Sequence, residues 1–264
     1  DEYIDILDRN TKRLKTLIED LFEVSKVNSG NIQLNPIDLD IHALLQQVFF
    51  EYQEQFEHHH LSLKNNYENK KILIVGAAKS GISVAKLLAN RNNDITITDL
   101  NDIDEYNKQL LKSLNIKIVI TNNQVDLLNK DWDLIVKNPA IMYTSNIVKR
   151  CKELNLHVEN EMEVAYHFLP KDVKIIGVTG SNGKTTTCTI LYKILKNAGL
   201  SVVLGGNIGT PLSELVPTIK PKDIILLEIS DHQLCDLFDF KTDISILTNI
   251  CPTHLDYHGT YEHY

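Results

Sequence analysis

The run Val178-Thr179-Gly180-Ser181-Asn182-Gly183 leads directly into Lys184-Thr185-Thr186-Thr187. Small residues let backbone N–H groups curl around a phosphate, and a lysine placed just after them neutralises β- and γ-phosphates. A hydroxyl next to that lysine can coordinate Mg²⁺, so Thr185 is the candidate metal-bearing hydroxyl. Gly180, Ser181, Asn182, Gly183, Lys184, Thr185 and Thr186 are therefore the candidate nucleotide-binding residues. The strict P-loop spelling would put a glycine where Val178 stands. A plain strand-to-helix turn, however, does not explain a lysine followed by three threonines.

A second glycine turn, Gly76-Ala77-Ala78-Lys79-Ser80-Gly81, lies between an apolar run and a helical pattern. Free N–H groups at a helix start suit a phosphate, although Ala78 replaces the second glycine of the dinucleotide fingerprint. Asp99 falls where a ribose-binding acid is expected in such a fold. Glu228 ends the run "DIILL", and a carboxylate at the C-terminal edge of a parallel sheet faces the ligand crevice. His254, Asp256 and His258 alternate in "CPTHLDYHG", which allows a metal triad or an incidental pattern. His58-His59-His60 reads as a solvated run, because consecutive helical residues point in different directions.

These residues need elements to hold them. Residues 1–64 read as a helical hairpin. Ile4, Leu7, Thr11, Leu14, Ile18, Leu21 and Ser25 form one seam, and Ile41, Leu44, Leu45, Val48, Tyr52 and Phe56 form the other. A lone hairpin buries little, so the seam allows a hairpin dimer. From "NNYENK" onward, strand and helix patterns alternate. Strands are predicted at "KILIV", "DITITD", "IKIVI", "DLIVKNPAI", "KIIGVTG", "SVVLG", "DIILLEIS" and "DISILTN", with a helix over 82–90. Such alternation predicts parallel, doubly wound α/β sheets, in units 65–171 and 172–264.

Composition narrows the function. Acidic residues number 35 against 27 basic, giving a formal charge of −8 and no long basic run, which argues against a nucleic-acid binder. Cys151, Cys188, Cys235 and Cys251 show no C-x-x-C spacing, so free, buried thiols in a reducing compartment are expected. No apolar run approaches the roughly 20 residues of a membrane span, and "DEYIDILDRN" does not read as a secretory leader. A cytoplasmic location is expected, with no membrane partner.

The stretches "ILIVGAAKSGISVAKLL", "VKNPAI", "GVTGSNGKTTT", "GGNIGTPLSEL", "LLEISDHQL" and "LTNICPTHLDYHGTYEHY" resemble the Mur ligases of peptidoglycan synthesis. The likeness covers about 67–264 and leans toward the members that add D-glutamate. Their own loop reads T-G-[ST]-N-G-K-[ST]-T, so Val178 is no defect there. The resemblance implies a Rossmann-like UDP-binding domain followed by a P-loop central domain, here incomplete. It also implies ATP and Mg²⁺ as cofactors, with UDP-N-acetylmuramoyl-L-alanine and D-glutamate as substrates joined through an acyl phosphate. Lys184 and His254 would then be catalytic, and Thr185, Glu228 and His254 would serve the metal. Lys79, Ser80, Asp99 and Asn138 would line the UDP site, with Asn207 and Ser230 also on the substrate. The family often has Ser-Ser-Phe-Gln where Ser230-Asp231-His232-Gln233 stands, and glycine where Ala140 stands.

The family's carbamylated lysine and closing domain would come after Tyr264, so the chain as given is expected not to ligate. Residues 10–49 resemble the second dimerisation helix of a sensor histidine kinase and the start of its ATP-binding domain. That likeness includes neither the phosphoacceptor histidine nor the ATP boxes. A signalling or dimerisation module, or an artificial join of two fragments, is therefore the alternative reading. A nucleotide-dependent dehydrogenase is the weakest, since nothing supplies a hydride-transfer site.

Overall fold

The computed structural model describes residues 67–142, 144–258 and 260. The hairpin, its dimer, the His58–His60 run and the kinase resemblance lie outside the described residues. The first sheet is built from β1 (Lys71–Val75), β2 (Asp94–Asp99), β3 (Lys117–Ile120), β4 (Leu134–Lys137) and β5 (Val158–Glu159). Helices α1 (Lys79–Ala89), α2 (Glu105–Ser113) and α3 (Asn146–Glu153) connect these strands, and α4 (Glu161–Tyr166) follows the last of them. All pairings are parallel, in the order β3-β2-β1-β4-β5.

The second sheet contains β6 (Lys174–Thr179), β7 (Val202–Gly206), β8 (Ile224–Glu228) and β9 (Ile244–Leu247). Its helices are α5 (Lys184–Asn197), α6 (Leu212–Leu215), α7 (Asp231–Leu234) and α8 (Leu255–His258). The order is β7-β8-β6-β9, again all parallel.

Both sheets bury two faces, which is why their strands read as unbroken apolar runs. In β1, Ile72 and Ile74 pack with Ile82, Ala85 and Leu88, while Leu73 and Val75 pack with Ile147, Val148 and Cys151. In β6, Ile175 faces Leu212 and Ile225, while Ile176 and Val178 face Cys188 and Leu226. β9 sits at a sheet edge, and its Ile244 and Leu247 are exposed.

One predicted element shifts. The first helix starts at Lys79, three residues ahead of the predicted Ile82, and so takes Gly81 into its first turn. A Cβ on Gly81 would stand 1.9 Å from the Gly76 carbonyl oxygen, so this glycine serves close packing inside the helix. The strand predicted within "DLIVKNPAI" ends at Lys137 in its expected proline turn, closed by Ile141 N–H donating to the Asn138 carbonyl at 3.0 Å. Short β5 and α4 carry too little periodicity to be read from sequence.

α4 ties the two sheets together with carboxylates. Its cap residue Asn160 accepts from Met162 and Glu163 N–H and donates to the Gln233 carbonyl at 2.6 Å. Glu163 accepts backbone N–H bonds from Phe238, Asp239 and Phe240. Burial opposes its ionisation, but His167 and those three N–H groups outweigh burial and hold its carboxyl below the usual value. Burial likewise works against protonation of His167, yet Glu163 at 3.3 Å and Asp239 at 3.4 Å raise its pKa overall.

A pH window follows. Glu163's contribution is complete above its unfolded value near 4.5 and is lost as pH falls through its lowered folded value. His167's contribution is complete below 6.5 and is lost as pH rises through its raised folded value. The pair therefore stabilises most between those two pH values. Urea unfolding of the wild type and His167→Gln should differ by roughly 1.5–3 kcal/mol in that window, the worth of a charge-assisted hydrogen bond. The gap should narrow as pH rises further, and a gap independent of pH would contradict this assignment.

Candidate functional site

The loop after β6 is a formed cradle. Gly180 (φ 131°) and Gly183 (φ 84°) both lie in the region that favours glycine, and Gly183 caps α5. A Cβ on Gly180 would come within 2.3 Å of Thr248 Oγ1, so this position is closed to side chains. Lys184 Nζ donates back across the loop to the Gly180 carbonyl and, at 3.2 Å, to the Ser181 carbonyl. The lysine thus stands over the concavity where phosphate oxygens would be met.

The cradle is braced by residues the sequence reading missed. Thr248 Oγ1 donates to the Asn182 carbonyl at 2.6 Å, and Asn249 Oδ1 accepts from Asn182 N–H at 3.0 Å. Asn249 Nδ2 also donates to the Asn182 carbonyl, and Ser181 N–H donates to the Asn249 carbonyl. Ser181 Oγ accepts from Cys251 N–H at 2.8 Å and donates to its carbonyl at 2.9 Å. The available signal was a Thr-Asn pair just past a strand, which gains meaning only once β9 is known to lie beside β6.

Glu228 ends β8 one strand over, with 3% exposure. Thr185 Oγ1 donates to its Oε2 at 2.7 Å, and Asn207 Nδ2 donates to its Oε1 at 3.0 Å. Asn207 N–H also donates to the Glu228 carbonyl at 2.8 Å. Three predicted site residues therefore meet at one buried carboxylate whose side-chain donors are both neutral. A buried carboxylate and a hydroxyl form a hard oxygen set that fits Mg²⁺, which usually takes one or two carboxylates plus substrate phosphates. Thr185 and Glu228 are the residues that would hold it.

His254 goes elsewhere. It takes a left-handed backbone (φ 49°), and its Nδ1 lies 2.9 Å from Asp231 Oδ2, not at the Glu228 carboxylate. His258 Nε2 reaches the same oxygen at 2.8 Å. His254 thus stands apart from the Thr185–Glu228 pair in this structure. His254 and His258 of the alternating run converge on Asp231. Ser230 spends its side chain capping α7, where Oγ accepts from Gln233 N–H while Gln233 Oε1 accepts from Ser230 N–H.

The first sheet carries its own crevice at the switch point between β1 and β4. Asp99 accepts from Ala77 N–H at 2.7 Å and from Asn101 N–H at 3.0 Å, fixing the glycine turn. Asn138 Oδ1 accepts from Ala140 N–H at 3.0 Å, and a Cβ on Gly76 would lie 2.8 Å from Asn138 Cβ. Ser80 is half-buried in the first turn of α1. Lys79 is exposed and reaches across to the other sheet, donating to the Gly209 carbonyl at 2.6 Å. The structure thus brings the β1 turn beside the loop bearing Asn207.

All four cysteines are free, as expected. Burial pushes the Cys151 and Cys188 thiols up to about 11, so neither is a ready nucleophile. Cys251 is exposed, contrary to the expectation of burial for the thiols as a group. No helix among the described residues is long and apolar enough to cross a membrane.

Residues 178–264 match the Mur ligase middle domain. The chain is 42% identical over 200 residues to the UDP-N-acetylmuramoylalanine–D-glutamate ligase of Streptococcus mutans, covering 75% of this chain and 44% of that protein. It is also 42% identical over 199 residues to the ligase of the same name from Streptococcus agalactiae, with the same coverage. Among solved structures, the UDP-N-acetylmuramate:L-alanyl-γ-D-glutamyl-meso-diaminopimelate ligase of Neisseria meningitides aligns with a TM-score of 0.44 and 18% identity, covering 71% of this chain and 63% of that one. The chain spans less than half the length of the curated relatives it matches. On the domain match and the sequence identity, the α/β part of this chain is similar to the Mur ligases.

Proposed function

We propose that the α/β part of this chain serves the ATP-dependent addition of D-glutamate to UDP-N-acetylmuramoyl-L-alanine in the cytoplasm. The observation that carries the reading is the buried Glu228 carboxylate, joined to Thr185 of the phosphate loop on one side and to Asn207 on the other. An oxygen ligand set beside a phosphate cradle suits phosphoryl transfer, in which the protein chiefly positions groups and stabilises charge. Mg²⁺ bound there would supply charge neutralisation between the nucleotide and the acceptor oxygen.

In this reading Lys184 and the N–H groups of residues 180–186 hold ATP. The first crevice, with Lys79, Ser80, Asp99 and Asn138, holds the UDP portion. Asn207 and Ser230 guide the muramoyl-alanine end toward the loop, and the Lys79 reach to Gly209 supports one substrate running between the crevices. The alanine carboxylate oxygen attacks the γ-phosphorus as the bond to ADP breaks. The amine of D-glutamate then attacks the acyl carbon, forming the amide and releasing phosphate and a proton.

The test is ATP-dependent incorporation of labelled D-glutamate into UDP-N-acetylmuramoyl-L-alanine by the full-length protein carrying these residues, together with thermal shift of this chain by the UDP substrate. Glu228→Gln should lower incorporation by at least about 100-fold, on the scale of losing a preorganised electrostatic contact. Incorporation unaffected by Glu228→Gln would overturn the role of that carboxylate. A chain unresponsive to the UDP substrate would overturn the substrate assignment.

A further inference from the structure

One side chain and one short loop join the two crevices. Lys79 opens α1, whose first-turn N–H groups face any phosphate held at the β1 glycine turn. Its ammonium is spent in the other half of the molecule, where Nζ donates to the Gly209 carbonyl at 2.6 Å. Glu214 of α6 stands 4.0 Å from the same Nζ, and both side chains are well exposed, at 59% and 39%. A hydrogen bond between two charged groups is roughly twice as strong as one between neutral groups, and a lysine on a neutral carbonyl falls short of it. A diphosphate at the β1 turn therefore outcompetes Gly209 for this ammonium.

The loop that receives Lys79 has one fixed end and one open end. It leaves β7 at Gly206 (φ 96°) and turns again at Gly209 (φ 69°). A Cβ on Gly206 would lie 2.3 Å from the Glu228 carbonyl oxygen, whereas nothing lies within 4 Å of one on Gly209. At the fixed end, Asn207 N–H donates to the Glu228 carbonyl at 2.8 Å, and its Nδ2 donates to Glu228 Oε1 at 3.0 Å. Lys79 thus holds the open end of a loop whose root covers one oxygen of the carboxylate beside the phosphate cradle.

We propose that Lys79 couples the two crevices: a diphosphate at the β1 turn draws its ammonium off the Gly209 carbonyl, the loop shifts about Gly209, and Asn207 turns its amide off Glu228 Oε1. That oxygen then joins Thr185 in receiving the divalent cation that accompanies a nucleoside triphosphate. Each site responds to the other, because a coupling free energy between two bound ligands is reciprocal. The inference rests on the reading of the two crevices given above and adds to it the order imposed by one exposed lysine.

The experiment titrates the full chain with UDP as the probe of the first crevice and with a fluorescent ATP analogue in Mg²⁺ as the probe of the second. Saturating UDP should tighten the analogue at least about 5-fold, and the analogue should tighten UDP by the same factor. Lys79→Met and Asn207→Ala should each bring the factor close to one, measured at UDP concentrations that saturate the variant. Replacing Mg²⁺ with EDTA should do the same, a response that a purely structural role for Lys79 does not produce. UDP that binds the wild type without changing the analogue's affinity overturns the inference. So does coupling that survives Lys79→Met, Asn207→Ala or EDTA. A wild-type chain that fails to bind UDP or the analogue overturns the reading of the crevices themselves, and this inference with it.

Discussion

Lys184→Ala will lower the affinity of this chain for ATP at least about 100-fold, close to 3 kcal/mol, while leaving its Tm nearly unchanged. Among the described residues the ammonium group's hydrogen-bond partners are the loop carbonyls of Gly180 and Ser181, so its removal breaks no ion pair there. The loop keeps its shape without the lysine, because Thr248, Asn249 and Cys251 grip residues 181 and 182 independently. What disappears is the positive charge facing the β- and γ-phosphates. Titration with a fluorescent ATP analogue measures the first quantity and calorimetric unfolding the second. Equal ATP affinity in the two proteins would remove Lys184 from the site.

Lys137→Met will cost about 3–5 kcal/mol of folding stability. Lys137 closes β4 in the first sheet, and its Nζ lies 3.0 Å from Asp236 Oδ2, just after α7 in the second half. Both side chains are buried, at 3% and 8% exposure, and Nζ also donates to the Ile141 carbonyl at 3.1 Å. Methionine fills the same space but leaves the Asp236 carboxylate buried without its cation. The double change Lys137→Met with Asp236→Leu should recover most of the loss, since a buried ion pair can be replaced by apolar contact at little net cost. Urea unfolding of the two single variants and the double variant gives the coupling. Additive losses would mean the two residues act separately.

The ends of the strands and the residues at their tips were legible in the sequence. Gly180 to Thr185, Glu228 and Asp99 were readable because a parallel α/β sheet delivers the C-terminal ends of its strands to one crevice. The destinations of His254 and Lys79 were not. Whether His254 reaches Glu228 or Asp231 depends on how the turn after β9 folds back over α7, and no local pattern encodes that. Lys79 meets Gly209 across 130 residues, and Lys137 meets Asp236 across the two sheets. Such partners are set by strand order, and apolar runs of similar composition do not reveal it. Thr248 and Asn249 were passed over for the same reason.

The grip on the phosphate cradle also has a consequence in time. Ser181 waits for Cys251, 70 residues further along the chain, before its hydroxyl finds both partners. At ribosomal rates of about 5–20 residues per second, roughly 4–14 s separate the synthesis of the two. The cradle is therefore among the last pieces of this sheet to set during synthesis. A nascent chain can complete the first sheet's crevice well before the second can close around a nucleotide.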